Sequence, residues 1–127
     1  MARHWFLNRR HDIFVDRGDP SGYDFTAVDF TLDAAWHDLD LSGVVPAKAK
    51  AVVIRLVAKN AAAQKNVSFK KRGNTNDYNI FRLYTQVADG SIENQFITPI
   101  DVNRFIEYQA SAGAWTVLSL VISGWFN

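Results

Sequence analysis

Along most of this chain hydrophobic and polar positions alternate, and the alternation is clearest at its end. From Trp115 onward, Thr116, Leu118, Leu120, Ile122, Gly124 and Phe126 share one side of an extended strand, while Trp115, Val117, Ser119, Val121, Ser123 and Trp125 share the other. Successive side chains of a strand point to opposite faces, so a period of two over this length predicts a core strand with one strongly apolar face. Residues 49–59 repeat the signature. There Val52, Ile54, Leu56 and Ala58 are expected to face the core, and Arg55 and Lys59 to reach solvent. In residues 79–87, Phe81, Leu83 and Val87 lie on one side and Ile80 and Tyr84 on the other, a distribution that predicts cover on both faces.

The same reading gives eight strands, at residues 23–32, 36–41, 49–59, 66–72, 79–87, 92–98, 104–109 and 115–126. Short strands separated by turn clusters at this spacing predict an all-β fold, a two-sheet antiparallel β-sandwich of jelly-roll type. Gly43 and Pro46 bracket Val44 and Val45. The proline removes a ladder donor and extends Val45, so pairing is expected to restart near Ala49. Gly73, Asn74, Thr75, Asn76 and Asp77 tolerate positive φ and predict an exposed loop. Ala88, Asp89, Gly90 and Ser91 read as a hairpin turn. Helix is confined to residues 61–65, one turn at most.

Residues 1–20 stand apart. They mix Arg3, Arg9, Arg10 and Arg17 with Asp12, Asp16 and Asp19, and with Trp5, Phe6, Leu7, Ile13, Phe14 and Val15, too much apolar bulk for a disordered tail. The segment is either an edge strand of the body or an arm that docks on a neighbouring subunit. A turn at residues 18–22 separates it from a sandwich domain spanning 21–127.

Composition narrows function by exclusion. The 127 residues, 48% of them hydrophobic, match one domain whose core stands without disulfides or metal. The absence of cysteine removes disulfides, thiolate zinc sites and cysteine nucleophiles, and leaves the redox compartment open. With 14 basic and 13 acidic side chains the net charge is +1, so no general field recruits nucleic acid or an anionic membrane. No run approaches the roughly 20 apolar residues that span a bilayer, and the opening residues do not form a cleavable leader. The expectation is a soluble chain with no nucleic acid partner and no membrane insertion. Met1 favours a whole gene product over a fragment of a longer fibre.

Catalytic constellations are weak. Of the histidines, His4 and His11 precede the body and only His37 lies within it, so a three-histidine metal site needs the arm folded onto the sandwich. Asp38 and Asp40 share a strand face near Asp29 and Asp33. Such a set has oxygen chemistry for calcium, but a solvated face opposite His37, Leu39 and Leu41 is the simpler reading, and no metal is expected. Glu93 and Glu107 are the only glutamates and sit on different strands, so nothing pairs two acids across a cleft for glycoside hydrolysis. Nucleophile elbow, phosphate loop and dinucleotide fingerprint are all missing. No catalytic residue and no cofactor are expected. Arg17-Gly18-Asp19 spells an adhesion tripeptide in a turn, and Asn66-Val67-Ser68 a glycosylation acceptor; chance recurrence explains the first and a strand start the second.

Binding chemistry fits better. Aromatic rings stack on the C–H faces of sugars while amides and carboxylates bond the hydroxyls. Trp36, Tyr78, Tyr84, Tyr108 and Trp115 supply rings, and Asn74, Asn76, Asp77 and Asn79 supply polar groups from one loop. Tyr78, in the middle of that loop, is the best candidate for an exposed ring. The candidate ligand site is therefore Trp36, Asn74, Asn76, Asp77 and Tyr78. Lys65, Lys70, Lys71 and Arg72 form the one basic concentration, which reads as an edge strand protected by lysines.

Four segments recur as an ordered set: Trp36 to Leu41 as W-x-D-L-D-L, Val45 to Val52 as V-P-A-x-A-K-A-V, Phe69 to Asn76 as F-x-K-x-G-N-x-N, and Ile106 to Tyr108 as I-E-Y, closed by Gly124, Trp125 and Phe126. Over residues 34–126 this set resembles a group of small β-sandwich modules in bacteriophage and prophage structural proteins. The resemblance implies a virion component assembled in the host cytoplasm, of fibre, spike or capsid-decoration type, whose loops or ends bind a host surface or another capsid protein. With it, a homo-oligomer in contact with other virion proteins is the expected state, and a cell-surface glycan is a candidate ligand. Because aromatic and arginine side chains dominate interface energetics, Trp5, Phe6, Arg9, Arg10 and Phe14 are the expected assembly residues. The alternative is a free carbohydrate-binding module.

Overall fold

The computed structural model describes residues 13–127. Its strands are β1 (Phe14–Asp16), β2 (His37–Asp40), β3 (Ala51–Lys59), β4 (Asn66–Lys71), β5 (Phe81–Tyr84), β6 (Ile92–Pro99), β7 (Phe105–Ala110) and β8 (Val117–Phe126). They form two antiparallel sheets, in the orders β1-β8-β3-β6 and β2-β7-β4-β5. The pairs β1–β8, β2–β7, β3–β6 and β4–β5 nest one inside the next. The chain is thus a long hairpin with its tip between β4 and β5, rolled until β3 meets β8 and β4 meets β7. That is a two-sheet β-sandwich with jelly-roll connections, the fold that the alternation predicts.

Each sheet turns one face inward. Val52, Ile54, Leu56 and Ala58 of β3 are fully buried, as their spacing requires, and Arg55 is exposed. They share one core with Leu118, Leu120 and Ile122 of β8, Val67 and Phe69 of β4, and Ile106 and Tyr108 of β7. Phe81 of β5 stacks flat on Phe96 of β6, with centroids 3.9 Å apart, and seals one side of the sandwich.

The other side is sealed by a segment expected to be a strand. Residues 23–32 join the ladder through a single isolated bridge, Phe25 to Leu120, and then turn through a 3-10 helix at Ala27–Asp29. Asp29 Oδ2 accepts the Thr26 N–H at 2.8 Å, a Thr-x-x-Asp capping pattern that ends the ladder as soon as it begins. The segment plugs the gap instead. Phe30 packs edge-on against Tyr108 at 4.9 Å, and the Tyr108 hydroxyl accepts the Thr31 N–H at 2.7 Å.

Phe14–Asp16 supplies the eighth strand, at the sheet edge beside β8. Here β8 carries a bulge. Val53 pairs with Gly124 but Ile54 with Ile122, so Ser123 is an extra residue. The insertion inverts the alternation: Trp125 turns inward opposite Val52, and Phe126 turns outward, the reverse of an unbroken period of two. A side chain on Gly124 would put its Cβ 2.5 Å from the Val15 carbonyl oxygen and 2.6 Å from the Phe14 ring. Glycine is what lets β1 close against β8, with the Phe14 ring covering it and leaning on Phe126 at 5.3 Å.

Three local expectations are corrected. Residues 88–91 do not form a hairpin, because β5 and β6 belong to different sheets and this turn carries the chain across. Residues 61–65 hold no helix. The fifth strand shortens to Phe81–Tyr84 and is covered on one face only: Phe81 and Leu83 point inward, and Arg82 and Tyr84 are exposed.

Candidate functional site

The outer faces of the two sheets differ in character. On β1-β8-β3-β6 the outward positions mix Phe14, Phe126, Val121 and Ile97 with Arg55, Glu93, Gln95 and Ser119, with Phe14 46% and Ile97 59% exposed and Val53 between them buried. Among the described residues an ion pair across them joins Arg55 to Glu93, and the Tyr23 hydroxyl together with Glu93 holds the Arg55 guanidinium above its ordinary range. On β2-β7-β4-β5 the outward rows are polar. Asp38, Glu107 and Lys70 lie side by side across three strands, and Gln109, Ser68 and Arg82 form the next row.

The β4–β5 loop rises from this polar face. It is fixed at its root by Glu107 Oε2, which accepts the Gly73 N–H at 2.8 Å, and by the Lys71 carbonyl, which accepts the Asn74 N–H at 3.2 Å. Gly73 takes φ +97°, a left-handed conformation that lets the chain leave β4 sharply. Lys70, 5% exposed, places its ammonium 4.2 Å from the centre of the Trp36 ring and 4.0 Å from Asp77 Oδ1. A desolvated ammonium needs such partners, and the aromatic face and the carboxylate both supply negative potential. Trp36 and Asp77 therefore meet on Lys70.

Asn74, Asn76 and Tyr78 do something else. With Gly73, Thr75 and Asn79 they line an open depression of about 460 Å³, and the Tyr78 ring is 96% exposed. The five candidate ligand residues thus divide into a brace, made of Trp36 and Asp77, and a lined surface.

Lys70 itself was not visible as part of this arrangement in the sequence. β4 is flanked by β7 and β5, so its lysines protect no edge. The basic concentration also separates in space. Arg72 lies over the Phe105 ring at 3.9 Å, with Nε 2.6 Å from Asp101 Oδ2 and Nη1 3.4 Å from Asp38 Oδ2. Burial works against the Arg72 charge, but Asp101 and then Asp38 hold it above its usual range.

Several of the acids are engaged by nearby donors. Burial alone would raise the Asp101 carboxyl, but the Phe105 N–H, the Arg72 guanidinium and the Asn103 N–H together hold it below the usual carboxylate range. Asp40 is lowered by Ser42 and Asp33 by His37, whose Nε2 lies 2.7 Å from Asp33 Oδ1. Glu93 and Glu107 point from opposite outer faces of the sandwich. Among the described residues no group of three or more His, Asp or Glu side chains is placed to hold a metal ion, and no helix is long and apolar enough to cross a membrane. Arg17 of the adhesion-like tripeptide is bound to Asp24 at 2.5 Å and to the Ile122 carbonyl at 3.0 Å, so it is not displayed. Asn66 opens β4.

Of the expected assembly residues, Phe14 lies in β1, and Trp5, Phe6, Arg9 and Arg10 lie outside the described residues. No known family model matches the chain, and no curated protein matches it in sequence.

Proposed function

We propose that this chain is a non-enzymatic structural module of a phage-like particle, a fibre, spike or decoration subunit that assembles with copies of itself and presents its β4–β5 loop outward. The observation that carries the reading is the contrast between the outer sheet faces. One carries an exposed apolar patch, with Ile97 59% and Phe14 46% exposed, beside Arg55, Glu93 and Gln95, and the other is a lattice of charges and amides beneath a braced loop. A rigid jelly roll holds shape while its loops vary, a division of labour that suits a repeated subunit.

The occupant of the apolar face is a second copy of the chain. Phe14, 46% exposed in β1 at the border of that face, leans on Phe126, and aromatic side chains are among the residue types that anchor interfaces. Association of one such patch with its copy is isologous and gives a two-fold dimer.

Sedimentation velocity tests this directly. The full chain is expected to be an oligomer, and Ile97→Asp is expected to shift it toward monomer with an unchanged far-ultraviolet circular dichroism spectrum. A full chain that sediments as a monomer, or an Ile97→Asp variant that assembles like its parent, overturns the reading. The depression on the loop favours a second reading, a free carbohydrate-binding module, which a ligand-binding monomer would select.

A further inference from the structure

We propose that the depression on the β4–β5 loop binds an uncharged saccharide, with Tyr78 as the stacking platform and Asn74, Asn76 and Asn79 as hydroxyl partners. The inference rests on the outward-surface half of the function proposed above and names its ligand class.

Three observations support it. The lining of the depression, about 460 Å³ in volume, combines three carboxamides and the Thr75 hydroxyl with one ring. Each carboxamide both donates and accepts hydrogen bonds, and so does each sugar hydroxyl, so adjacent hydroxyls can be matched pairwise without a charge. The Tyr78 ring is 96% exposed, so its apolar faces are not spent on the core and are open to the C–H face of a sugar.

The second observation is electrostatic. None of the lining residues is charged, and the charges beside them are already partnered: Lys70 and Asp77 face each other and the Trp36 ring, and Glu107 accepts the Gly73 N–H. A phosphate, a carboxylated sugar or a cation would be desolvated there without a counter-charge, whereas a neutral polyol exchanges water hydrogen bonds for amide ones.

The third is preorganisation. The loop is tied down at Gly73 by Glu107 and at Asp77 by Lys70, which reduces the ordering that binding would otherwise require. Two other depressions among the described residues lack this combination. One is lined by Arg55, already paired with Glu93, and another by Lys50, Lys71 and Asp101, all charged.

The test uses the full chain and an immobilised panel of neutral oligosaccharides (glucose, galactose, mannose, rhamnose and N-acetylglucosamine oligomers) beside uronic and sialylated ones, followed by calorimetric titration of any hit. The expected result is binding of at least one neutral glycan with an affinity that does not change with salt. Tyr78→Ala and Asn76→Ala should each weaken it about tenfold or more, with unchanged melting temperatures. Tyr23→Ala, on the opposite outer face, should leave it unchanged. Binding confined to acidic glycans, binding that falls with salt, binding indifferent to Tyr78→Ala, or no binding at all overturns the proposal. Assembly is read separately by sedimentation. A monomer that binds a neutral glycan removes the assembly reading and keeps this site, and an oligomer that binds none does the reverse.

Discussion

Asp101 collects three donors at one carboxyl. The N–H groups of Asn103 and Phe105 turn the chain between β6 and β7, and Arg72 crosses from the end of β4 to join them. These donors favour the charged form in the folded state and are lost on unfolding, so the folded carboxyl titrates below the unfolded one, near pH 3.9. Its stabilising contribution is therefore complete above about pH 3.9 and disappears as the pH falls through the lower folded value. The expected outcome is that Asp101→Asn lowers the melting temperature at neutral pH and flattens its fall in acid, measured by calorimetry across that range. An acid slope equal to that of the parent chain would assign the acid response to other carboxylates. Lys70 shows a different residue-scale lesson. In sequence it is one of several neighbouring basic residues, and only the pairing of β4 on both sides reveals that its ammonium must be satisfied by Trp36 and Asp77.

β8 is the element on which the apolar patch of the outer face depends. Up to Ile122 its inward set follows the alternation, with Leu118, Leu120 and Ile122 all buried. Ser123 then shifts the register, which sends Trp125 into the core and leaves Phe126 outside to meet Phe14. Gly124 makes the close approach of β1 possible. Gly124→Ala is expected to destabilise the fold by about 1–3 kcal/mol, because the added methyl overlaps the Val15 carbonyl and the Phe14 ring and cannot be accommodated without moving β1. Adding Phe14→Ala should recover part of that loss but not all, since the backbone overlap persists. Urea denaturation of the single and double variants checks the coupling, and strictly additive effects would mean that the ring is not the obstacle. The same reasoning shows why residues 23–32 mislead a periodic reading. Their aromatics do seal the core, but the Thr26–Asp29 cap folds the backbone away from the sheet.

At the scale of the whole molecule, the nested pairing joins residues far apart in the chain: Phe14 faces Phe126, and His37 faces Tyr108. Such closure costs chain entropy before contacts repay it, so refolding is expected in roughly milliseconds to seconds, as for other β-sandwiches. Stopped-flow tryptophan fluorescence, with Trp115 and Trp125 in or against the core, checks this, and microsecond refolding would contradict the nested order. The sequence by itself determined the class of the fold, the inward sets of β3 and of most of β8, and the exposed loop with Tyr78 at its crest, because side-chain alternation and turn chemistry act over a few residues. Only the tertiary structure decided that Phe14–Asp16 replaces 23–32 as a strand, that residues 88–91 cross between sheets, that a one-residue bulge exchanges Trp125 and Phe126, and that Lys70 is buried. Each of those depends on which strand lies alongside, and strand partners here are set by contacts across as much as the whole length of the chain, where no local pattern reaches.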